Sequence, residues 1–508
     1  MIGCTLRGAL PLLATALLFG VPGTGPSHLG AQELGTDCDL RSYATINSQD
    51  MGVGRRVTFV GRPFLVCPDG TRIRSDSAVV YEETGRAELI GRVDFQTPER
   101  HLVAEYADYF EREDRLFARG SVVFRDRVRA TVVEGDTLIY LGAGEVRVEE
   151  QVTVSGGRPR ATIPPPVERD DAVAYEVTGN RLRFAGDQFF WADGEVEVVR
   201  EDLEASADSL AFNREGGQLF LNRNARVNTE ETEMEALRIH LSIPDDIIES
   251  ITLRGRGRIV TETQDLVGEE IRVTLRDEKI QHVVAVDREP EEGEEAGPTP
   301  RALAEDFELH ADSLEIITPD EVLERIIAVG RARAESRAGF GEDDPGAGGL
   351  WTPHPDSVPE VLRDRIDRDW IEGDEILALF ELVEEPADTL LGPTFDEELG
   401  EGEARPAVRL LRLEARGNAR TLYRSAPAET TETEGDPPDP EDPRPGPISY
   451  IVAAEIRIHL VEGALDHLEA IDQVIGIQLE PTGRRGSGDA TRTLEPGLPD
   501  PGIQESDR

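Results

Sequence analysis

Leu102–Phe124, LVAEYADYFEREDRLFARGSVVF, decides the reading of this chain, because Ile73–Phe95, IRSDSAVVYEETGRAELIGRVDF, superimposes on it without gaps at an offset of 29 residues. Ala78 falls on Ala107, Arg86 on Arg115, Gly91 on Gly120, Val93 on Val122 and Phe95 on Phe124. Each copy runs as a strand, a polar turn (Glu82–Gly85, Glu111–Asp114) and a returning strand. Turn-tolerant polar residues between alternating apolar stretches predict a β-hairpin.

Working outward, the outgoing strand carries a signature: a small residue, an acid or amide, any residue, then apolar residues at alternate positions. The acid or amide is Asp76, Glu105, Asp136, Asn180, Asp208, Glu269, Asp312 and Asp374, with Leu237 and Ala454 replacing it in two further copies. Most copies lie 28 to 32 residues apart, and the intervals stretch to 43, 44, 62 and 80 where Pro-, Gly- and acid-rich insertions intervene. The step of three from the small residue to the first apolar one breaks the period-two alternation of a strand. A β-bulge in this strand, which absorbs one residue and bends the chain, is the simplest repair. Returning strands such as Leu116, Ala118, Gly120, Val122 and Phe124 alternate with polar residues, as an antiparallel sheet with one wet face requires. The fold class expected is all-β: an elongated antiparallel β-jelly-roll or taco of about ten hairpin repeats, each of roughly 30 residues.

The flanks set the domain boundaries. Met1–Gln32 has Arg7, an apolar run Ala9–Val21 and a small-residue exit, Gly30-Ala31-Gln32, which reads as a secretory signal peptide cleaved near residue 32. A membrane anchor is the alternative, but the run falls short of the ~20 residues that a spanning helix needs. No later stretch is apolar enough for a transmembrane helix. Residues 33–287 then form an N-terminal roll, 288–306 an acidic loop, 307–480 a C-terminal continuation with long insertions, and 481–508 a disordered tail. The insertions are Gly156–Asp171, Glu289–Glu305, Ala338–Glu360, Glu384–Pro406 and Ala426–Pro447, all read as loops, while Val358–Asp369 reads as a short helix.

Composition excludes several functions. With 102 acidic against 54 basic residues and a net charge of −48, the surface repels phosphates, so nucleic acid is not a partner. Beyond the leader two cysteines remain, Cys38 and Cys67, and an exported pair favours a disulfide tying the first strand to about the third. There is no metal-ligand spacing among the eight histidines and no paired CxxC, so neither a metal nor another cofactor is expected. No G-x-S-x-G elbow, P-loop or HExxH pattern occurs, and the chain reads as non-enzymatic.

If the hairpins stack, one inner face carries Val80, Val93, Phe95, Leu102, Ala107, Tyr109, Leu116, Val122, Phe124, Leu138, Tyr140, Leu182, Phe184, Leu210 and Phe212. Such a stripe exceeds the few hundred Å² of apolar patch that a soluble monomer tolerates, so either two sheets close over it or an apolar ligand fills the gap. Ala104-Glu105 through Tyr109 to Leu116–Val122, with Ala415-Arg416-Gly417-Asn418-Ala419 and Tyr450–Ala470, resembles the OstA-like (LptA-like) lipopolysaccharide-transport family. The likeness is clearest over about Gly52–Val154. It implies a periplasmic β-jelly-roll whose inner stripe is a groove for the acyl chains of lipopolysaccharide or another acylated amphiphile. It also implies a bridge to the outer membrane, joined to other transport-bridge proteins by edge-strand pairing. The chain departs from that family in its length, in its acidic insertions and in lacking an outer-membrane barrel. The alternative is a closed structural β-roll scaffold at the cell surface with no lipid ligand.

Overall fold

The computed structural model describes residues 38–143, 149–164, 173–288, 297–336, 368–383, 407–424, 447–479 and 491–494, with Leu362 and Arg365, except 202, 230–231, 245–246, 262–263, 277–278, 304–306, 320–321 and 462–463. Among these residues the chain forms one antiparallel ladder of 31 strands, with a 3-10 turn at Glu111–Glu113. Typical strands are Arg100–Phe110, Arg115–Asp126, Leu203–Asn213 and Gln218–Thr229, of 11 or 12 residues each. Each pairs with the strand before it and the strand after it, as tight polar turns dictate.

Every long strand turns a corner near its middle. Val103 faces Val123 while Tyr106 faces Arg119, so three steps on the outgoing strand oppose four on the returning one. The same mismatch recurs between Ser206/Ser209 and Arg226/Asn222, and between Glu235/Arg238 and Arg258/Arg254. The extra residue therefore sits on the returning strand, not on the outgoing strand where the sequence placed it. It is absorbed by two consecutive left-handed residues, Gly120 at φ +82° and Ser121 at φ +47°. The pair returns as Gly91-Arg92, Gly194-Glu195, Gly255-Arg256, Gly330-Arg331 and Gly417-Asn418.

The acid of the signature explains why glycine leads the pair. A Cβ on Gly120 would lie 2.8 Å from Cβ of Glu105, and one on Gly330 would lie 2.9 Å from Cβ of Asp312. The acid's backbone N–H caps the corner: Asp76 N donates to Ile90 O (3.1 Å) and Gly91 O (2.7 Å), and Asp312 N donates to Gly330 O (2.8 Å). Its carboxylate then accepts from the second left-handed residue. Arg92 Nε reaches Asp76 Oδ1 at 3.0 Å, Arg331 Nε reaches Asp312 Oδ1 at 2.9 Å, and Asn418 Nδ2 reaches Asp374 Oδ2 at 3.1 Å.

Because the corner restores the alternation, both arms of a strand turn the same set of side chains inward. Leu116 and Ala118 before the bend and Val122 and Phe124 after it are all buried. One continuous apolar core consequently runs from Val57 to Ile456, and a second, small cluster joins Leu362, Trp370, Leu422, Ile448, Tyr450 and Leu479 at the C-terminal end. Opposite charges pair across neighbouring strands, as in Arg226–Glu235 (3.1 Å) and Arg258–Asp265 (2.8 Å).

The N-terminal end is held by a disulfide between Cys38 and Cys67. It joins the first strand, Asp39–Ser42, to the fourth, Phe64–Val66, which pair directly, rather than to the third. Three stretches expected as loop or tail contain strands instead. Arg160–Ile163 pairs with Val132–Glu134, Arg301–Leu303 with Asp265–Val267, and Thr491–Leu494 with Gly476–Leu479. Each is a strand arm of three or four residues, too short to show an apolar period beside Pro-rich or charged flanks. The leader 1–32, the insertions 338–360 and 384–406, and 426–446 lie outside the described residues, as does most of 358–369.

Gly120→Ala is expected to destabilise the roll by about 1–3 kcal/mol, since it adds a Cβ to a left-handed residue already crowded by Glu105. Ser121→Gly at the same bend should be neutral or stabilising by up to ~1 kcal/mol, because it relieves an L-residue at positive φ. Comparing the two in urea unfolding checks the assignment of the corner. A second expectation concerns Asp369, whose carboxyl is raised from 3.8 to about 6 by burial, opposed by the hydrogen bond it accepts from Arg424 N (2.8 Å). Its stabilising contribution is complete below 3.8 and is lost as pH rises through about 6. Asp369→Asn keeps the acceptor and should be more stable than the parent near neutral pH by about 1–3 kcal/mol, with the gap vanishing in acid.

Candidate functional site

At the N-terminal end the two sheets do not meet completely. Two arms there, Phe64–Val66 and Arg72–Arg74, have only three residues each, and the hairpins beside them enclose a cavity of about 660 Å³. Its apolar lining comes from Leu65, Ile73, Ala78, Val80, Ala87, Leu89, Phe95, Leu102, Tyr109, Leu116, Phe124 and Tyr140, with the Cys38–Cys67 bridge at one side. Phe95 and Tyr109 face one another with ring centres 6.2 Å apart. That volume lies within the ~300–1,000 Å³ usual for small-molecule pockets.

Charged side chains also border the cavity, and its arginines are each engaged by a neighbour outside the lining. Arg86 forks onto Asp108, Nε to Oδ1 at 2.8 Å and Nη2 to Oδ2 at 2.7 Å, which holds the guanidinium firmly protonated. Arg100 Nη1 donates to the Tyr140 hydroxyl at 3.0 Å, the guanidinium lies 5.1 Å from the centre of that ring, and Nη2 pairs with Glu150. Arg112 Nη2 donates to the carbonyl of Glu83 at 2.5 Å. Burial pushes the Tyr109 phenol up to about 12, helped by the nearby carboxylates of Asp114, Glu111 and Asp69. Tyr140 is likewise pushed to about 12 by burial, with Arg100 opposing the shift and Glu150 adding to it. Both phenols therefore stay neutral donors at the edge of an apolar space.

Of the residues read from the sequence as the inner stripe, Val80, Phe95, Leu102, Tyr109, Leu116, Phe124 and Tyr140 line this cavity. Val93, Ala107, Val122 and Leu138 are buried in the same core but do not reach its wall. Leu182, Phe184, Leu210 and Phe212 belong to the core further along the ladder, where Phe184 packs on Phe190 with centroids 4.7 Å apart. Leu182, Ile239, Leu253, Ile271 and Leu314, each 0% exposed, do not line the cavity. Leu65, Ile73, Ala78, Ala87 and Leu89 also line the cavity and are absent from the stripe read from the sequence. Ala87 and Leu89 continue the alternation into Val93 across the bend and were legible that way, whereas Leu65 and Ile73 sit in strands too short to carry a pattern. No described helix is long and apolar enough to cross a membrane.

No family model matches this chain, and no curated protein matches it. Among solved structures, it is similar to LptH, the LptA-homologous periplasmic component of the conserved lipopolysaccharide transport device of Pseudomonas aeruginosa. The alignment covers 32% of this chain and 94% of that one, at 14% identity and a TM-score of 0.18. The fold described above rests on the strand pairing, not on this likeness.

Alkaline titration followed by phenolate absorbance should show a late component at about 12 that shrinks in Tyr109→Phe and again in Tyr140→Phe. Stability from these neutral buried phenols is full below the ordinary value of 10 and is lost as pH rises through about 12. A late component unchanged in both variants would contradict the burial of these rings in the cavity wall.

Proposed function

We propose that the N-terminal cavity holds the acyl part of an amphiphile, lipopolysaccharide or a related acylated lipid, and that the exported roll carries it through the periplasm toward the outer membrane. The observation that carries this reading is an apolar space left between two sheets in a ladder whose core is otherwise continuous. Burying a chain yields about 0.8 kcal/mol per methylene, so twelve carbons give roughly 10 kcal/mol gross, enough to keep a lipid out of water. The neutral phenols and the Arg100 guanidinium at the border suit the polar junction where acyl chains meet a headgroup. Resemblance of the repeat to the OstA-like family supports the same substrate class. In this reading the protein is not an enzyme, needs no cofactor, and meets partner proteins through the unpaired strand edges at its ends.

A second reading has its own observation. Leu182 and Leu253, beyond the cavity, are fully buried, as they would be in a rigid structural spacer with no ligand.

Photo-crosslinkers placed at Phe95, Tyr109 and Phe124 are expected to give lipid adducts, and one at Leu253 to give none. Phe95→Glu should cut the lipid recovered with the purified protein at least tenfold, on the order of the 1.4 kcal/mol or more needed to bring a carboxylate into an apolar wall. Absence of lipid from the purified protein and of adducts at all three cavity positions would favour the spacer.

A further inference from the structure

At the C-terminal end of the ladder the strand Ile448–Val461 is followed by Ala464–Ile471, which pairs with it antiparallel and with no other described strand. Ile456, Ile458, Leu468 and Ala470 turn into the core, so Arg457, His459, His467 and Glu469 stand on the outer face. Register sets His459 directly opposite His467 and Arg457 opposite Glu469. The two imidazoles stack with centroids 4.2 Å apart and planes 8° from parallel. One ligand atom from each of His459, His467 and Glu469 lies within 4.8 Å of the others.

The chain departs from regular pairing at this point. His459 faces His467 but Leu460 faces Leu465, which leaves Asp466 as the extra residue of a bulge. A bulge re-aims the side chains beside it, and here Asp466 Oδ2 accepts a hydrogen bond from His467 Nδ1 at 2.7 Å. A carboxylate on one ring nitrogen fixes the tautomer that leaves Nε2 free for a metal.

We propose that His459, His467 and Glu469 form a binding site for a divalent transition metal of the zinc class, with Asp466 as the positioning residue. Two imidazoles and a carboxylate are the donor set that zinc and copper(II) prefer, whereas calcium and magnesium take oxygen donors alone. Metal–ligand bonds of about 2.0–2.2 Å require the three groups to draw together by up to about 1.4 Å and the two rings to turn out of their parallel stack, because each lone pair lies in its own ring plane. Partly exposed side chains allow both. Glu469 has one competing contact, Arg457 Nη1 at 3.7 Å, and Arg457 is held more closely by Glu455 at 2.6 Å. On the next strand Arg412, opposite His459, is engaged by Glu414 at 2.9 Å. The ion would bridge Ala464–Ile471 to Ile448–Val461, the one described strand it pairs with. This inference is independent of the lipid reading.

The test uses the untagged chain titrated calorimetrically with zinc in excess magnesium, which occupies the general acidic surface. One zinc per chain is expected, weakened at least tenfold in His467→Ala and in His459→Ala, and roughly 10–100-fold in Asp466→Asn. Copper(II) bound at the same site should show nitrogen hyperfine structure from two imidazoles. At zinc one hundred times above its dissociation constant, amide exchange in Ala464–Ile471 by local opening should slow about a hundredfold, and should not slow in the His459→Ala/His467→Ala protein. All four residues are at least partly exposed, so these variants keep the fold. Zinc binding absent in excess magnesium, or unchanged in the double variant, would overturn the site.

Discussion

The corner is the constraint on which the rest of this molecule depends. An antiparallel pair cannot bend sharply while keeping one face apolar unless one strand gains a residue, because a shift of one moves every later side chain to the wrong face. Here the returning strand gains it through two left-handed residues, and the outgoing strand answers with a small residue followed by an acid. The acid satisfies three needs at once. Its backbone N–H takes the carbonyl exposed at the bend, its side chain fills the space where the glycine has no Cβ, and its carboxylate holds the second left-handed residue. Repeated along the chain, this unit turns a flat ladder into two facing sheets with a single interior.

That division of labour explains what was legible in the sequence. The period-two alternation of Leu116, Ala118, Val122 and Phe124, and the acid at a fixed place in most repeats, reveal the hairpins, the inner face and the position of the bends. Which strand carries the extra residue was not legible, since the parity break in the outgoing strand and the gain in the returning one leave similar traces in sequence. Arms of three or four residues such as Arg160–Ile163 and Arg301–Leu303 were read as loop, because they are strands only by virtue of the partners that precede them. The cavity was hidden for a different reason. Val80 and Phe184 occupy equivalent places in the pattern, yet Val80 lines the cavity whereas Phe184 packs on Phe190, a difference that the pattern does not encode.

The acidic surface follows from the same geometry. A long ladder with one face buried must place its charges outside, and arginines opposite carboxylates, as in Arg226–Glu235 and Arg258–Asp265, offset part of the repulsion. Half-exposed pairs of this kind contribute ~0–1 kcal/mol each, so they guide register more than they hold the sheets together. The core supplies the cohesion, and the whole chain's excess of carboxylates, a net charge of −48, opposes association between copies.

The closed stretch and the open end are related energetically. Each fully buried leucine such as Leu182, Leu210 or Leu253 gains about 1.5–3 kcal/mol from the opposing sheet. Parting the sheets over two or three such residues therefore costs on the order of what a twelve-carbon chain, at about 0.8 kcal/mol per methylene, returns by lying between them. Sheet-on-sheet contact and sheet-on-lipid contact are therefore near equivalents in free energy. Each bend is fixed by hydrogen bonds between adjacent strands, such as Asp312 N to Gly330 O and Arg331 Nε to Asp312 Oδ1, so its geometry does not depend on which apolar surface fills the interior.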